Sequence, residues 1–376
     1  MDFNFTSEQD QLRDMVARLM REQYDFDTRR KIASSEPGWR PEMWSQFAEL
    51  GLLAAPFTEE EGGFGGPIET MIMMEEFGKG LVIEPFLQTA VIAGGFLKHA
   101  GSDAQKEEHL QGIIGGEKIF GFAYAEPQGR YNLNDLATNA KKDGDGYVLN
   151  GHKAVAHGGP MATHFIVTAR TGGDQRDDKG VGVFIVAKDA KGVTTRDYPT
   201  VDGQRASEVY FENVSVGADA QIGSGDDLAL VEQVVDEAIA ALCAEAVGCM
   251  KVLNEATVDY SKQRKQFGVP IASFEVLQHR MVDMFMACEQ SVSMTYMVTL
   301  KLGEDDVERA KAASGAKVQS GKAGKLISQD AVQIHGGMGM TDELNVGHYF
   351  KRLTMIGQQF GDVDFHLKRY TKLSAG

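Results

Sequence analysis

The stretch VDEAIAALCAEAVGCMKVL, residues 235–253, decides the fold of this chain. Its apolar side chains recur mostly three or four residues apart and form one wide stripe, which predicts a long helix with a buried face. A second apolar stripe begins at Phe274, and a third helical piece runs from about Asp305 to Ile334. Several long helices in succession indicate an antiparallel helical bundle.

The sequence pattern differs on the N-terminal side of this bundle. Between about Ile119 and Val216, short β-rich runs alternate with turn residues, and KDGDG at 142–146 predicts a hairpin. Before Ile119 the pattern is helical, with Ser7 as the candidate cap of the first helix. The prediction is an α+β fold: an N-terminal helical domain (1–117), a middle β-barrel or sandwich domain (118–222) and a C-terminal four-helix bundle (223–376).

Composition excludes several classes of partner. The 376 residues carry 38 Lys and Arg against 54 Asp and Glu, a net charge of −16, which argues against binding of nucleic acid or of an anionic membrane surface. The most apolar stretch, 81–97, is too short and too interrupted to span a bilayer. Three cysteines without a CxxC pair, and no signal-peptide pattern in residues 1–8, lead us to expect a cytoplasmic protein.

Several common catalytic and binding motifs are absent from the sequence. It contains no P-loop GxxxxGK[ST], no GxSxG and no HExxH. The nine histidines are dispersed, and no Cys/His spacing matches a zinc site, so we expect no metal site. No GxGxxG follows a strand and opens a helix, which disfavours a nicotinamide cofactor on a Rossmann unit.

Four short segments stand out instead: FAYAEP at 122–127, LNGHK at 149–153, RKQFG at 264–268 and QIHGGMGM at 333–340. Each alone has an ordinary structural interpretation as a strand end, a turn, cations at a helix end or a glycine helix cap. Each also has a functional one, because the main chain of the first segment can approach a planar ligand, Arg264 can bind two oxygens of a diphosphate, and paired glycines allow close approach of a ligand.

In this order and spacing, the four segments resemble those of the acyl-CoA dehydrogenase family over essentially the whole chain. Within the family, QGRYN at 128–132 and GHYFKRLT at 347–354 are similar to the small subunit of pimeloyl-CoA dehydrogenase and related heteromeric enzymes. The resemblance implies the three-domain fold of that family. It also implies an enzyme that uses FAD to convert an acyl-CoA thioester to a 2-enoyl-CoA.

The chemistry implied by the resemblance needs a base and a flavin. A carboxylate removes the α-proton of the thioester, the β-hydrogen leaves as hydride to FAD, and the electrons pass to an electron-transfer flavoprotein. The family assembles as tetramers, so the implied partner is another copy of the chain or a large-subunit homologue.

The resemblance also assigns the cofactor-binding residues. The residues implied to lie along the flavin ring are Phe122, Tyr124, Ala125, Val155 and His157. The residues implied to hold the diphosphate and adenine of a neighbouring subunit's FAD are Arg264, Phe267, Gln333, Gly336 and Gly337. Several positions depart from the family pattern. Ala125 replaces a hydroxyl residue that bonds the flavin, and Glu275 replaces a glutamine. Val155 and His157 replace a tryptophan and a threonine or serine, and residues 128–132 replace the usual GxGSD loop.

The largest departure concerns the catalytic base. The family's usual glutamate position is Phe360 here, and its alternative position is Ala238. The nearest carboxylates are Asp362 and Glu237, the latter rotated about 100° around its helix. Four interpretations stay open: a self-sufficient enzyme that uses Asp362 or Glu237, a small subunit whose partner carries the base, a structural paralogue without flavin, and another flavoenzyme of this fold, such as an oxidase.

Overall fold

The structure is a computed structural model that describes residues 4–375. Residues 1–3 and 376, the ends of the first and third predicted domains, lie outside the described residues. The chain forms two compact units from discontinuous segments. The first unit consists of Met1–Lys31, Pro67–Val82 and Ile239–Gly376, and the second of Ile32–Gly66 and Ile83–Ala238.

Helices occupy both ends of the chain. They are α1 (Ser7–Gln23), α2 (Phe26–Ser34), α3 (Pro41–Glu49), α4 (Pro67–Gly80), α5 (Gly94–Ala100), α6 (Asp103–Gln105), α7 (Gln111–Ile114), α8 (Leu228–Gln263), α9 (Glu275–Lys301), α10 (Asp306–His335), α11 (Val346–Gln358) and α12 (Val363–Ala375). Two π-helical segments, Leu87–Ala93 and Lys106–Leu110, precede α5 and α7. Helix α1 is capped by Thr6, whose hydroxyl accepts from the Gln9 N–H, so the cap predicted at Ser7 is one residue off.

Strands fill the middle of the chain. They are β1 (Phe120–Ala123), β2 (Asn139–Asp143), β3 (Gly146–His157), β4 (His164–Arg170), β5 (Val181–Ala187), β6 (Val193–Pro199), β7 (Arg205–Val216), β8 (Gln221–Ile222), β9 (Lys265–Gln266) and β10 (Val269–Pro270). The first eight form one sheet in the order β6-β7-β3-β2-β4-β5-β8, with β1 parallel to β4. β2 and β3 form the predicted hairpin, in which Asp143 pairs with Gly146.

The hydrophobic core of the second unit is formed largely by buried side chains of this sheet. Strands β4 and β5 are buried along almost their whole length, whereas β6 and β7 also carry exposed side chains. The cluster of buried residues includes Leu149, Phe165, Phe184 and Phe211. Phe120 on β1 lies next to the π-helical segment, where the Thr89 hydroxyl exchanges hydrogen bonds with its main chain at 3.0 and 3.3 Å.

The first unit depends on a close crossing of α4 and α8. A Cβ on Gly78 would come within 2.1 Å of the Glu245 carbonyl oxygen, and a Cβ on Gly248 within 2.0 Å of the Glu75 carbonyl oxygen. The Cys249 thiol donates to the Gly78 carbonyl at 3.3 Å at the same crossing. Only glycine at both positions lets the two helix backbones touch.

Helix α11 is attached to this crossing by buried polar contacts. The guanidinium of Arg352 donates to the Glu245 carboxylate at 2.5 and 2.7 Å, with both side chains almost fully buried. The Tyr349 hydroxyl donates to the Lys79 carbonyl oxygen at 2.5 Å. Residues 347–354, which carry part of the subfamily resemblance, therefore contain side chains that join elements of the first unit.

Neither a membrane span nor a disulfide occurs in the part of the chain that the structure describes. No helix within residues 4–375 is long and apolar enough to cross a bilayer. Cys243, Cys249 and Cys288 are buried free thiols. Burial raises the pKa of the Cys243 and Cys288 thiols to about 11, so both are neutral at physiological pH.

We expect Gly248→Ala to destabilise the protein, because the added methyl group would overlap the Glu75 carbonyl and force α4 and α8 apart. Overpacking of this kind costs about 1–3 kcal/mol in the free energy of unfolding, measured by urea denaturation. The matched control is Gly357→Ala on α11, where a Cβ meets nothing within 4 Å and alanine favours the helix. Equal stability of the two variants would contradict the tight crossing.

Candidate functional site

The strand end expected to lie along the flavin is well ordered by packing in the second unit. Phe122 is buried and Tyr124 is half-buried, and their rings stack with centroids 4.7 Å apart and planes inclined by 20°. Phe96 of α5 packs against this pair, with its ring centroid 5.5 Å from that of Phe122. The two aromatic residues thus form a fixed surface beside the end of β1.

Two further predicted flavin residues come together at this strand end. Ala125 forms an isolated antiparallel bridge with Val155 of β3, and its carbonyl accepts from the Ala154 N–H at 2.8 Å. His157 lies two residues further along β3, partly buried and paired in register with Ala206. The structure therefore places all five predicted flavin-ring residues on β1, its extension and β3.

A buried ion pair lies directly behind this strand end. The Lys153 ammonium donates to the Glu126 carboxylate at 2.7 Å, and neither side chain is more than 2% exposed. Burial lowers the pKa of Lys153 to about 8, although the Glu126 carboxylate opposes the shift, so Lys153 stays charged at neutral pH. Burial opposes ionisation of Glu126, but the Lys153 charge and the hydrogen bonds from Lys153, Gln128 and Thr138 together outweigh it and hold the Glu126 pKa below its usual value.

The predicted diphosphate residues lie in the first unit, around the end of α8. Arg264 follows α8 and opens the β9–β10 hairpin, whose tip carries Phe267. Phe267 is 93% exposed and has a positive φ of 52°, an uncommon conformation for an aromatic residue. Within residues 4–375 the Arg264 guanidinium is exposed and has no hydrogen-bond or ion-pair partner, so it is available to an anion.

The end of α10 lies beside the end of α8. The Tyr260 and His335 rings stack with centroids 4.3 Å apart, and the Tyr260 hydroxyl donates to the His335 carbonyl at 3.4 Å. Gln333 and the two glycines that follow His335 are exposed. A Cβ on Gly336 or Gly337 would meet nothing within 4 Å, so this main chain borders open space. Arg264 and the glycine pair thus lie at two helix ends joined by one aromatic contact.

The position to which the resemblance assigns the family's usual base carries an apolar side chain. Phe360 is 8% exposed and has a positive φ of 58°. Its carbonyl accepts from the His366 Nε2–H at 3.1 Å. Gly361 follows with a φ of 126°, and a Cβ there would lie 2.5 Å from His366 Nε2. This bend is therefore held by packing, and it presents no group that can accept a proton.

Asp362 lies just beyond this bend. Its carboxylate accepts from the Phe365 N–H at 2.9 Å and so caps the start of α12. The side chain is partly buried and lines a pocket of about 410 Å³ with Lys325, Gln358 and other residues of α10 and α11. Asp362 is thus accessible from this pocket, but one of its oxygens already serves the helix cap.

Glu237 is engaged by two basic side chains in the second unit. Its carboxylate accepts from the His99 Nε2–H at 2.7 Å and pairs with the Lys98 ammonium at 3.2 Å. Burial would raise the pKa of Glu237, but the His99 hydrogen bond and the Lys98 charge outweigh it, so the net shift is downward. Ala238, at the alternative base position, is fully buried. A lowered pKa makes Glu237 a weaker base.

Sequence reasoning missed the partners that fix these residues. From the sequence, Glu126 and Lys153 stood out only as parts of two motifs, and no contact of Glu237 with Lys98 or His99 was predicted. The register of β3 offered one signal, because Lys153 lies an even number of residues from the buried Leu149 and so shares its face. No local signal marks the fully buried Lys317, whose ammonium donates to the Ile356 carbonyl at the end of α11.

Comparison with known proteins supplies the family. Three sequence profiles match: the acyl-CoA dehydrogenase N-terminal domain over residues 6–117, the middle domain over 121–214 and the C-terminal domain over 228–362. The short-chain specific acyl-CoA dehydrogenase of Clostridium acetobutylicum is 30% identical over 359 residues, which cover 92% of each protein. This chain belongs to the acyl-CoA dehydrogenase family.

Solved structures agree with this membership. A chain of the ChsE4-ChsE5 complex from Mycobacterium tuberculosis matches with a TM-score of 0.90 at 23% identity, covering 100% of this chain and 99% of that one. PigA with FAD and proline matches with a TM-score of 0.92 at 25% identity, with the same coverage. The predicted fold class, with helical, β and helical-bundle parts, is confirmed, and the family is one of flavoprotein oxidoreductases that act on CH–CH bonds.

Acid should destabilise the bend at Phe360 through His366. Burial, helped by the Lys317 and Arg369 charges, lowers the pKa of His366 to about 3 although the Phe360 carbonyl and Asp362 oppose the shift. The folded state therefore stays neutral at His366 while the unfolded state takes up a proton below about pH 6.5. As the pH is lowered below about 6.5, the free energy of unfolding should therefore decrease. At pH 5 the decrease from His366 alone should be about 2 kcal/mol.

The test compares His366→Gln with Ser314→Ala, which keeps the histidine but removes the hydroxyl 3.3 Å from its Nδ1. Urea denaturation at about pH 7 and pH 5 should show a smaller loss of stability for His366→Gln, by about 2 kcal/mol, and a near wild-type loss for Ser314→Ala. The same pH dependence in both variants would show that His366 titrates normally in the folded state.

Proposed function

We propose that this chain is the small subunit of a heteromeric FAD-dependent acyl-CoA dehydrogenase, in which a homologous partner carries the catalytic base. The observation that carries the proposal is the pair of base positions, filled by the buried side chains of Phe360 and Ala238. Neither residue can accept the α-proton of a thioester. The fold and the cofactor-binding segments of the family are nevertheless present.

The residues available fit a flavin dinucleotide. An unpaired Arg264, an exposed Phe267 and the open main chain at Gly336 and Gly337 are suited to a diphosphate and an adenine. The ordered end of β1 is suited to a planar ring system, which would meet the Ala125 main chain without a side-chain hydroxyl. When bound, FAD supplies the hydride acceptor for the β-hydrogen of the thioester.

An exposed apolar surface supports assembly with a homologous subunit. Large apolar side chains of the first unit are uncovered on α9, at the β9–β10 hairpin and after α10: Phe267, Val276, Val282, Phe285, Met286, Met338 and Met340. Such a surface is unusual for a monomer and favours a protein partner. A chain of the same fold comes from the ChsE4-ChsE5 complex, which provides a precedent for a two-component assembly.

A second candidate is a self-sufficient acyl-CoA dehydrogenase that uses Asp362 as its base. The observation in its favour is that Asp362 lines a pocket in the first unit. Its disadvantage is that one Asp362 oxygen already accepts the Phe365 N–H and caps α12, so a role as base would compete with this structural contact. We therefore rank this candidate below the heteromer, and the experiments separate the two.

We expect Arg264→Ala to reduce flavin binding, since a charge-assisted bidentate contact contributes about 1.5–3 kcal/mol. The dissociation constant of FAD, measured by fluorescence titration of the oligomer, should rise by about 10- to 150-fold. Arg18→Ala is the control, because Arg18 is an exposed arginine on α1 of the same unit. If both variants retain wild-type flavin content, Arg264 does not hold the diphosphate.

Activity should depend on the partner. The isolated chain should show no turnover with a panel of acyl-CoA thioesters and ferrocenium as electron acceptor, whereas co-expression with a homologue that has glutamate at a base position should restore it. Changing that glutamate to glutamine should abolish turnover, because an amide cannot accept the proton.

Asp362→Asn in this chain distinguishes the two candidates. A general base contributes about 10²–10⁴-fold in rate, so a change smaller than about tenfold in the complex would fit a capping role for Asp362. Robust turnover by the isolated chain, lost on Asp362→Asn or Glu237→Gln, would instead establish the self-sufficient enzyme.

A further inference from the structure

The Lys153–Glu126 pair is the most completely buried ion pair among the described residues of the second unit. Lys153 is 0% exposed and the Glu126 side chain 2%. The lysine also donates to the Tyr124 carbonyl at 3.2 Å and to the Thr168 hydroxyl at 3.4 Å. Its three protons are thus directed at the end of β1, at Glu126 and at β4.

The glutamate binds a different part of the chain. Its Oε2 accepts from the Ala137 N–H at 2.8 Å and from the Gln128 side-chain amide at 2.8 Å, and its Oε1 accepts from the Thr138 N–H at 3.1 Å. Residues 127–136 leave the strand end and return at Ala137. One carboxylate therefore fixes both ends of this loop, which contains the QGRYN segment.

Stability alone is a poor explanation for such a pair. Removing two charges from water costs several kcal/mol per ion, and a buried pair often contributes no more than well-packed apolar residues would. What the pair does supply is defined geometry, because each charge satisfies main-chain groups of a separate segment. Those groups belong to Tyr124, Ala137 and Thr138, next to the residues expected to meet the flavin.

The loss of a hydroxyl at Ala125 makes this geometry more important. With an alanine side chain, only the main chain of this residue can hydrogen-bond a ligand. The Ala125 carbonyl is held by the Ala154 N–H at 2.8 Å, and the preceding carbonyl, that of Tyr124, is held by Lys153. The direction of the Ala125 N–H thus depends on contacts to β3 on both sides of the peptide.

We propose that Lys153 and Glu126 are positioning residues for FAD and for the 127–136 loop, acting through the main chain of residues 124–126 and 137–138. The inference rests on the proposed flavin function. The pair orients the strand end that meets the ring and holds the start and the return of the 127–136 loop in register with it. It touches neither the cofactor nor the reacting atoms.

The test uses the double variant Lys153→Met/Glu126→Gln in the co-expressed complex, together with the single Lys153→Met. The double variant removes both charges and so leaves no unpaired buried ion, which allows it to fold where the single variant fails. Lys188→Met is the matched control, because Lys188 also lies in the second unit and donates to the Gly159 and Pro160 carbonyls at 2.9 and 2.8 Å.

Three readouts follow. The dissociation constant of FAD should rise by about tenfold or more in the double variant, the visible flavin spectrum should shift in position or shape, and amide exchange over residues 120–138 of flavin-free protein should accelerate. Lys188→Met should leave all three near wild type. If the pair had only a stabilising role, the double variant would have a lower unfolding temperature but the wild-type flavin affinity and spectrum when folded.

The wild-type complex is measured first, so that the two proposals fail separately. If it binds FAD and the double variant has wild-type affinity, spectrum and exchange, the positioning role is overturned and the proposed function stands. If the wild-type complex binds no FAD, the proposed function and the inference that rests on it are both overturned.

Discussion

The first unit depends on direct backbone contact between α4 and α8. Gly78 and Gly248 have no side chains, so each helix lies against a carbonyl of the other, closer than ordinary helix packing allows. Two residues of α11 bind at this crossing. Arg352 donates to the Glu245 carboxylate of α8, and the Tyr349 hydroxyl donates to the Lys79 carbonyl of α4. These contacts hold α11 against the crossing, and α11 leads directly to the bend at Phe360.

The bend at Phe360 and Gly361 is fixed by main-chain conformation and by contacts with His366. A left-handed Phe360, a glycine that no other residue can replace without meeting His366, and a carbonyl held by His366 define the path of the chain at the usual base position. The lowered pKa of His366 keeps this buried ring neutral at neutral pH. The contact to His366 is made by the main chain of Phe360, so it does not depend on which side chain stands at the position expected for the base.

The sequence predicted what local periodicity encodes. The hairpin turn at 142–146 and the span of α10, expected from Asp305 to Ile334 and found at Asp306–His335, follow from turn chemistry and from the 3.6-residue period. The cap of α1 was one residue off, because Thr6 and Ser7 are equally good cap residues. The Glu237–His99 contact joins residues 138 positions apart, and no local pattern encodes such a pairing.

The buried charges of the second unit connect these observations to function. Both Glu237 and Glu126 are kept ionised by lysine or histidine partners, so neither is a free base, and both tie separate segments together. Desolvation of a buried ion pair costs free energy that the pairing often only offsets, so the pair adds little net stability. Its main effect here is to fix the arrangement of the main chain. In this chain both buried acids therefore act as anchors between segments that are separate in the sequence.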